Sequence, residues 1–98
     1  MSLPVAFHRA ASAEFSEAST WYESKRRGLA LEFVAEIDRC VSLASEHPLQ
    51  FAVVRENIRR AVANRFPYCV YFRAEQHRIV VLAVFHGRRD PAVLVARI

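Results

Sequence analysis

Glycine and cysteine are both scarce in this chain of 98 residues, and each shortage excludes a class of site. The two glycines are Gly28 and Gly87, so there is no glycine-rich loop to cradle a nucleotide phosphate. The two cysteines, Cys40 and Cys69, lie in apolar sequence and lack the number and spacing of a disulfide framework or a metal site. We therefore expect buried, unreactive thiols, no metal and no cofactor.

Long apolar runs are also missing. No stretch approaches the roughly 20 apolar residues that cross a bilayer, and the first residues do not follow the plan of a signal peptide. We therefore expect a cytoplasmic protein that does not engage a membrane. The length suits a single domain over residues 1–98 that buries a core of its own.

The residue sets of common enzymes are absent as well. The sequence shows no Ser-His-Asp arrangement and no paired carboxylates, and its four histidines are scattered without ligand spacing. His86 is the one candidate acid or base by position, because it ends a predicted central strand. An ordinary metabolic enzyme is therefore not expected.

Arginine is what the chain has in excess, and it is concentrated in the second half. Residues 1–50 carry five basic and seven acidic side chains, whereas residues 51–98 carry nine arginines and three acidic side chains. The balances are −2 and +6, within a total of +4. This asymmetry predicts an acidic partner for the C-terminal half. A single lysine among fourteen basic residues equally suits an arginine preference of the genome, so both interpretations stay open.

Hydrophobic periodicity predicts the order of the elements. A strand over 3–8 precedes helices over about 12–25 and 29–46, and strands over 58–66, 68–74 and 78–86 follow. Residues 51–54 form a loop or short strand, and 92–98 an edge strand or short helix. The fold class is α+β, β-α-α-β-β-β, an antiparallel sheet packed on an N-terminal helical hairpin. The core expected between hairpin and sheet comprises Phe15, Tyr22, Phe33, Ile37, Val70, Val81 and Phe85.

Arginines recur inside the predicted strands. Alternation over 58–66 places Arg59 and Arg65 on one face and Arg60 on the other. Arginines interleaved with tyrosines on a sheet suit nucleic acid or an acidic peptide, although solvated outer strand faces carry the same residue types. We expect one continuous basic surface that binds an anionic target and consists of Arg59, Arg60, Arg65, Arg73, Arg88 and Arg89.

Short motifs along nearly the whole chain carry a family resemblance. In chain order they are Trp21-Tyr22-Glu23, Gly28-Leu29, Glu32-Phe33, Pro48 with Phe51, Ile58-Arg59-Arg60, Arg65-Phe66-Pro67-Tyr68, Val70-Tyr71 and His86-Gly87-Arg88-Arg89-Asp90-Pro91. With this order and spacing, the sequence resembles the ParE branch of the RelE/ParE superfamily, the toxins of type II toxin–antitoxin and plasmid stabilization systems.

The resemblance implies a small α+β toxin encoded beside an antitoxin whose extended C-terminal segment wraps it. Members of the ParE type poison DNA gyrase, whereas members of the RelE type cleave mRNA in the ribosomal A site. On this basis we expect a cognate antitoxin that contacts Trp21 and Tyr71, and a homodimer or a heterotetramer with the antitoxin.

Two departures from the RNA-cleaving members favour the gyrase-directed branch. No tyrosine follows Tyr71, and the second half of the chain has no lysine. We therefore expect a toxin that inhibits DNA gyrase by binding, without enzymatic activity. The alternatives are a ribosome-dependent mRNA endonuclease and a non-toxic orphan binding protein of the same fold. The endonuclease would use Arg59, Arg65, His86 and Arg88.

Overall fold

The computed structural model describes residues 2–98, which form two long helices, five strands and two short 3-10 helices. In chain order the elements are β1 Val5–Phe7, α1 Arg9–Lys25, α2 Leu29–Glu46, a 3-10 helix Pro48–Gln50, β2 Val53–Arg55, β3 Ile58–Val62, β4 Tyr68–Ala74, β5 Ile79–His86 and the C-terminal 3-10 helix Pro91–Arg97. The predicted α+β class, with a helical hairpin between the first strand and the others, is confirmed.

The five strands form one sheet in the order β1-β5-β4-β3-β2. Strands β2 to β5 make an antiparallel meander, whereas β1 runs parallel to β5, with Val5 opposite Ile79. The sheet is therefore mixed, because the helical hairpin carries the chain back across the sheet before the meander begins. The open question about residues 51–54 is settled in favour of a short strand, Val53–Arg55.

Caps explain where the two helices begin. Helix α1 starts three residues before the predicted Ser12, because Nδ1 of His8 accepts a hydrogen bond from the Ala10 amide at 3.0 Å. Gly28 adopts φ +86° between the helices, a conformation that glycine takes without strain. The Glu23 carboxylate accepts bonds from the amides of Gly28 and Ala30, which lower the pKa of Glu23 and cap α2.

Strand β3 ends at Val62 rather than at the predicted Phe66. Arg65 has φ +70°, and Pro67 has no amide to donate to a ladder, so the chain turns back before β4. The Asn64 amide donates to Glu36 Oε2 at 2.6 Å, which fixes this turn against α2. The predicted alternation through residue 66 is therefore wrong beyond Val62.

Buried side chains occupy both faces of the sheet. On the face toward the helices, here called the helix face, Val70, Val81 and Val84 pack against Phe33 and Ile37. On the opposite or back face, the buried side chains pack under the C-terminal 3-10 helix, whose Leu94 is fully buried. This back-face cluster comprises Ile58, Cys69, Tyr71, Val80, Leu82, Ala83, Phe85 and Leu94.

Most of the predicted core is confirmed, with one residue on the wrong face. Phe15 is half-buried on the helix face and the other predicted residues are buried. Phe85 is buried too, but in the back-face cluster. The cause is an irregularity in β5: Tyr71 lies opposite Ala83 and Phe72 opposite Val81, so Leu82 is an extra residue that reverses the alternation.

Both cysteines are free and buried, as predicted. Burial raises the pKa of the Cys40 thiol to about 11 and also raises that of Cys69, so neither is poised as a thiolate. Within residues 2–98, no helix is both long enough and apolar enough to cross a bilayer.

Candidate functional site

A groove of about 550 Å³ separates α1 from the end of β5, and it is called the α1–β5 groove below. Helix α1 forms one wall, and the end of β5 with the turn before β4 forms the other. The lining residues are Glu14, Glu17, Ala18, Trp21, Tyr22, Pro67, Tyr68, Val84, Phe85, His86 and Arg89. The groove thus combines aromatic surface with both signs of charge.

Trp21 is the large exposed aromatic side chain of this groove. About half of it is accessible (53%), although its ring packs edge-on against Tyr22 with centroids 5.0 Å apart. The Lys25 ammonium lies 4.8 Å from the centre of the indole ring, a cation–π contact. Tyr68, 5.9 Å from Tyr22, continues the aromatic surface, and burial raises the pKa of both tyrosines.

His86 lies at the last position of β5, as the sequence predicted, and is exposed. Its Nδ1 accepts a hydrogen bond from the Arg88 amide at 3.1 Å, which leaves Nε2 toward solvent. The imidazole packs near Tyr68, with ring centroids 5.9 Å apart. No carboxylate within residues 2–98 pairs with it, so His86 lacks the second group that would orient a general base.

Glu14 is the most heavily bonded carboxylate of the groove. It accepts hydrogen bonds from the Val84 amide at 3.1 Å, from Arg89 at 3.1 Å and from both terminal nitrogens of Arg97 at 3.0 and 2.8 Å. Arg97 also donates to the Leu82 carbonyl at 3.0 Å. Sequence reasoning missed this network, because Glu14 reads as one more polar residue on an amphipathic helix.

Four of the six arginines predicted to bind a target already have partners. Arg65 pairs with Glu32 at 2.6 Å, Arg73 with Glu75 at 2.7 Å, and Arg89 with Glu14. The Arg59 guanidinium donates to the Phe51 carbonyl at 2.7 Å. Arg60 and Arg88 are exposed and have no carboxylate within salt-bridge distance in the described chain, so their charges remain uncompensated.

The prediction of one continuous basic surface is wrong. Arg59 lies opposite Phe72 on the helix face, whereas Arg60 lies opposite Tyr71 on the back face. Arg65 is attached to α2 through Glu32, and Arg89 to α1 through Glu14. Strand alternation and local carboxylates divide the arginines among several surfaces.

Tyr71 is also placed differently from the expectation for an antitoxin contact. It is 1% exposed and packs against Phe85 at 4.9 Å in the cluster that contains Leu94. Burial raises its pKa, and the neighbouring Arg60 acts in the opposite direction. Tyr71 is thus a core residue in this conformation, and the prediction that a partner contacts it is corrected.

The four residues of the predicted endonuclease are not brought together. Arg59 lies opposite Phe72 and His86 opposite Tyr68, four positions apart along β4, or about 13 Å. Arg65 is held at α2 by Glu32. Arg88 alone lies beside His86, through its backbone amide.

A second cavity of about 530 Å³ lies on the outer side of the helical hairpin, next to β1. Hydroxyl groups and a single carboxylate supply its polar lining. The residues are Phe7, Ser12, Phe15, Ser16, Ser19, Thr20, Val34 and Asp38. Over residues 2–98, no group of three or more His, Cys, Asp or Glu side chains is arranged to hold a metal ion.

Comparison with known proteins gives three findings. The sequence model of a family described as "ParE toxin of type II toxin-antitoxin system, parDE" matches residues 5–91. A solved structure titled "Chromosomal ParDE TA system from P. aeruginosa" superposes with a TM-score of 0.72 at 21% identity and covers 86% of this chain and 95% of that one. No curated protein sequence matches the chain. The structural likeness shows the fold, and the family match covers all five strands and both long helices.

Proposed function

Because the chain belongs to the ParE toxin family of type II toxin–antitoxin systems, we propose that it inhibits DNA gyrase by binding and is neutralised by a cognate antitoxin. The protein then acts in the cytoplasm, where gyrase and its DNA are found. This function needs a shaped, charged surface and no chemical step by the chain itself.

The observation that carries this proposal is the dispersal of the groups an RNA-cleaving toxin needs. Cleavage through the 2′-hydroxyl requires a base, an acid and a cation around one phosphate. Here His86 has no orienting partner, Arg59 lies two strands away and is also displaced by about 13 Å along the strand direction, and Arg65 is paired with Glu32. This arrangement supports inhibition by binding over cleavage.

Arg60 and Arg88 are the arginines best suited to contact an anionic target. Both are exposed and neither shares its charge with a carboxylate of the described chain, so each can form a new charge-assisted hydrogen bond. Arg59, Arg65, Arg73 and Arg89 can contribute to target binding only by sharing or exchanging their present partners.

The α1–β5 groove is the surface proposed for the antitoxin, with Trp21 as its anchor. An exposed tryptophan beside a groove is typical of a binding surface, since it buries much apolar area at little entropic cost. A toxin–antitoxin heterotetramer and a toxin homodimer are both compatible with a single-domain protein of this size.

Pulse labelling of new DNA and new protein after induction of the chain alone tests the proposal. We expect DNA synthesis to fail first, and purified protein to block supercoiling by gyrase. Arg88→Ala should weaken both effects, and Arg27→Ala is the matched control because Arg27 is also exposed but lies at the helix connection.

Two other results would contradict the proposal. Earlier failure of protein synthesis, abolished by His86→Ala, would establish the ribosome-dependent mRNA endonuclease instead. That alternative draws support from the position of His86 beside Tyr68 and Arg88. Normal growth with abundant folded protein would identify a non-toxic orphan of the same fold.

A further inference from the structure

The second cavity, of about 530 Å³, is lined by residues of β1, α1 and α2 and is called the hairpin cavity below. Its volume lies in the range of cavities that hold small organic molecules. It shares no lining residue with the α1–β5 groove, and none of the six arginines predicted to bind a target lines it. The hairpin cavity is therefore separate from the surfaces proposed for the antitoxin and for the target.

Two phenylalanine rings supply apolar surface to the hairpin cavity. Phe7 of β1 and Phe15 of α1 have nearly parallel ring planes, 14° apart, and their centroids are separated by 6.4 Å. Phe7 belongs to an edge strand of the sheet and is 37% exposed, so part of its ring is open to a ligand. The face of such a ring carries negative potential and attracts a cation.

Hydroxyl groups of α1 supply hydrogen-bond acceptors to the same cavity. Ser12, Ser16 and Thr20 recur every four residues, so they lie on one side of the helix. Their hydroxyls have no hydrogen-bond partner among residues 2–98, whereas Ser19 donates to the Phe15 carbonyl at 2.8 Å. Because a hydroxyl oxygen has two lone pairs, each of these groups can accept a hydrogen bond from an N–H group of a ligand.

Asp38 is the one charged side chain among the residues that line the hairpin cavity. It is exposed, and no cation of the described chain lies within salt-bridge distance of it. The adjacent Arg39 is directed toward Glu36, to which it donates two hydrogen bonds of 2.8 and 2.6 Å. Arg9, at the start of α1, is exposed but does not line the cavity. The lining thus carries one negative charge and no positive charge, whereas the α1–β5 groove carries both signs.

We propose that the hairpin cavity binds a small organic cation, an amine that carries an aromatic or branched apolar group. The ammonium group pairs with Asp38 and donates to the hydroxyls of α1, while the apolar group packs on Phe7 and Phe15. A single unpaired carboxylate beside aromatic faces selects a cation over a neutral molecule or an anion. The inference goes beyond the proposed function, and toxicity and antitoxin binding can fail while it holds.

Phenethylamine added to the full chain tests this inference, because it joins an aromatic ring to an ammonium group. Two matched compounds keep the ring and change the charge: phenethyl alcohol is neutral and hydrocinnamate is anionic. The readout is the NMR shift of the backbone amides of residues 12–20 and 34–38. The indole N–H of Trp21, the single tryptophan, reports on the α1–β5 groove. Titration to about 10 mM covers the affinity expected of so small a compound.

We expect phenethylamine to shift the amides around the hairpin cavity and to leave the Trp21 indole unchanged. Phenethyl alcohol and hydrocinnamate should bind at least about threefold more weakly, which is the loss expected when an exposed ion pair is removed. Asp38→Asn should weaken phenethylamine by about the same factor and reduce its preference over phenethyl alcohol. Glu46→Gln, a change of an exposed carboxylate at the end of α2, is the matched control and should alter neither quantity.

Three results would overturn the inference. Absence of shifts, or equal shifts from all three compounds, means that the cavity does not select a cation. Shifts concentrated at Trp21 and His86 place the amine at the α1–β5 groove instead. Binding of a peptide that contains lysine, without binding of the free amine, assigns the cavity to a segment of a partner protein and not to a small molecule.

Discussion

The helix face of the sheet is covered by two helices of 17 and 18 residues, whereas the back face is covered by a 3-10 helix of seven residues. On the helix face, the ring of Phe33 has four other aromatic rings whose centroids lie within 6 Å of its own. On the back face, Leu94 is the fully buried residue of the 3-10 helix that covers the sheet. Arg97 of the same helix donates hydrogen bonds to Glu14 of α1. The helices are held on their face by extensive packing, whereas the segment that covers the back face is held by one buried leucine and one ionic network.

The largest expected effect is on the helix face. Phe33→Ala should lower the free energy of unfolding by about 3–5 kcal/mol, because it removes a buried ring and leaves a cavity among aromatic neighbours. Chemical denaturation with urea measures the loss. Leu31→Ala, at a position 76% exposed in the same helix, is the control and should stay within about 0.5 kcal/mol of the parent. Equal losses for both variants would contradict the assignment of this core.

The helix face is also the part of the fold that the sequence predicts best. Phe33 and Ile37 recur at helical spacing, and Tyr22 shares a face with Phe15 and Ala18, so local periodicity identifies the buried side. The back face has no such signal, because the covering segment reads equally as an edge strand or a short helix. Phe85 illustrates the limit: one extra residue in β5, which no local pattern marks, moves it to the other face.

A smaller effect is expected when the apolar contact of the back face is removed. Leu94→Ala should cost about 2 kcal/mol, the low end for a buried leucine, because the short covering segment can shift to fill the space. The comparison of the two faces also predicts that Leu94→Ala destabilises the back face more than the helix face. Hydrogen exchange should accelerate at β5 amides near Leu82 and Phe85 more than in α2. Uniform acceleration across both helices would show that the two faces unfold as one unit.

Removal of the ion pair between Glu14 and Arg97 should lower the free energy of unfolding by less than Leu94→Ala does. Glu14→Gln keeps the shape of the side chain but leaves Arg97, 12% exposed, without a full negative partner. We expect a loss of about 1–2 kcal/mol and faster exchange of the Val84 amide. Glu17→Gln, one helical turn away and exposed, is the matched control and should leave both quantities unchanged. Retention of Val84 protection in Glu14→Gln would contradict the role of this carboxylate.

The candidate site is predictable from the sequence only in part. His86, Trp21 and Arg89 were recognised as functional candidates, and all three line the α1–β5 groove. The network that builds the groove joins Glu14 to Arg97, 83 residues apart, and no local pattern links them. The division of the arginines among different surfaces follows from carboxylates that meet them only in three dimensions, as Glu32 meets Arg65.

The smallest expected effect concerns acid stability on the helix face. Glu36 bonds to Arg39 and to the Asn64 amide, and the hydrogen bond from Arg39 is the main cause that lowers the pKa of Glu36 to about 2. Because the folded pKa lies below the unfolded value, the contribution is present above about pH 4.5 and is lost as the pH falls toward 2. The Glu36 side chain keeps 14% of its accessible surface, and solvent screens the pair, so we expect a contribution of about 1 kcal/mol to the free energy of unfolding.

Urea denaturation between pH 6 and about pH 2.5 measures this contribution. Glu36→Gln should flatten this part of the profile, whereas Glu46→Gln should not, and a profile unchanged by Glu36→Gln would mean that the β3–β4 turn is held to α2 by packing, like the rest of the helix face.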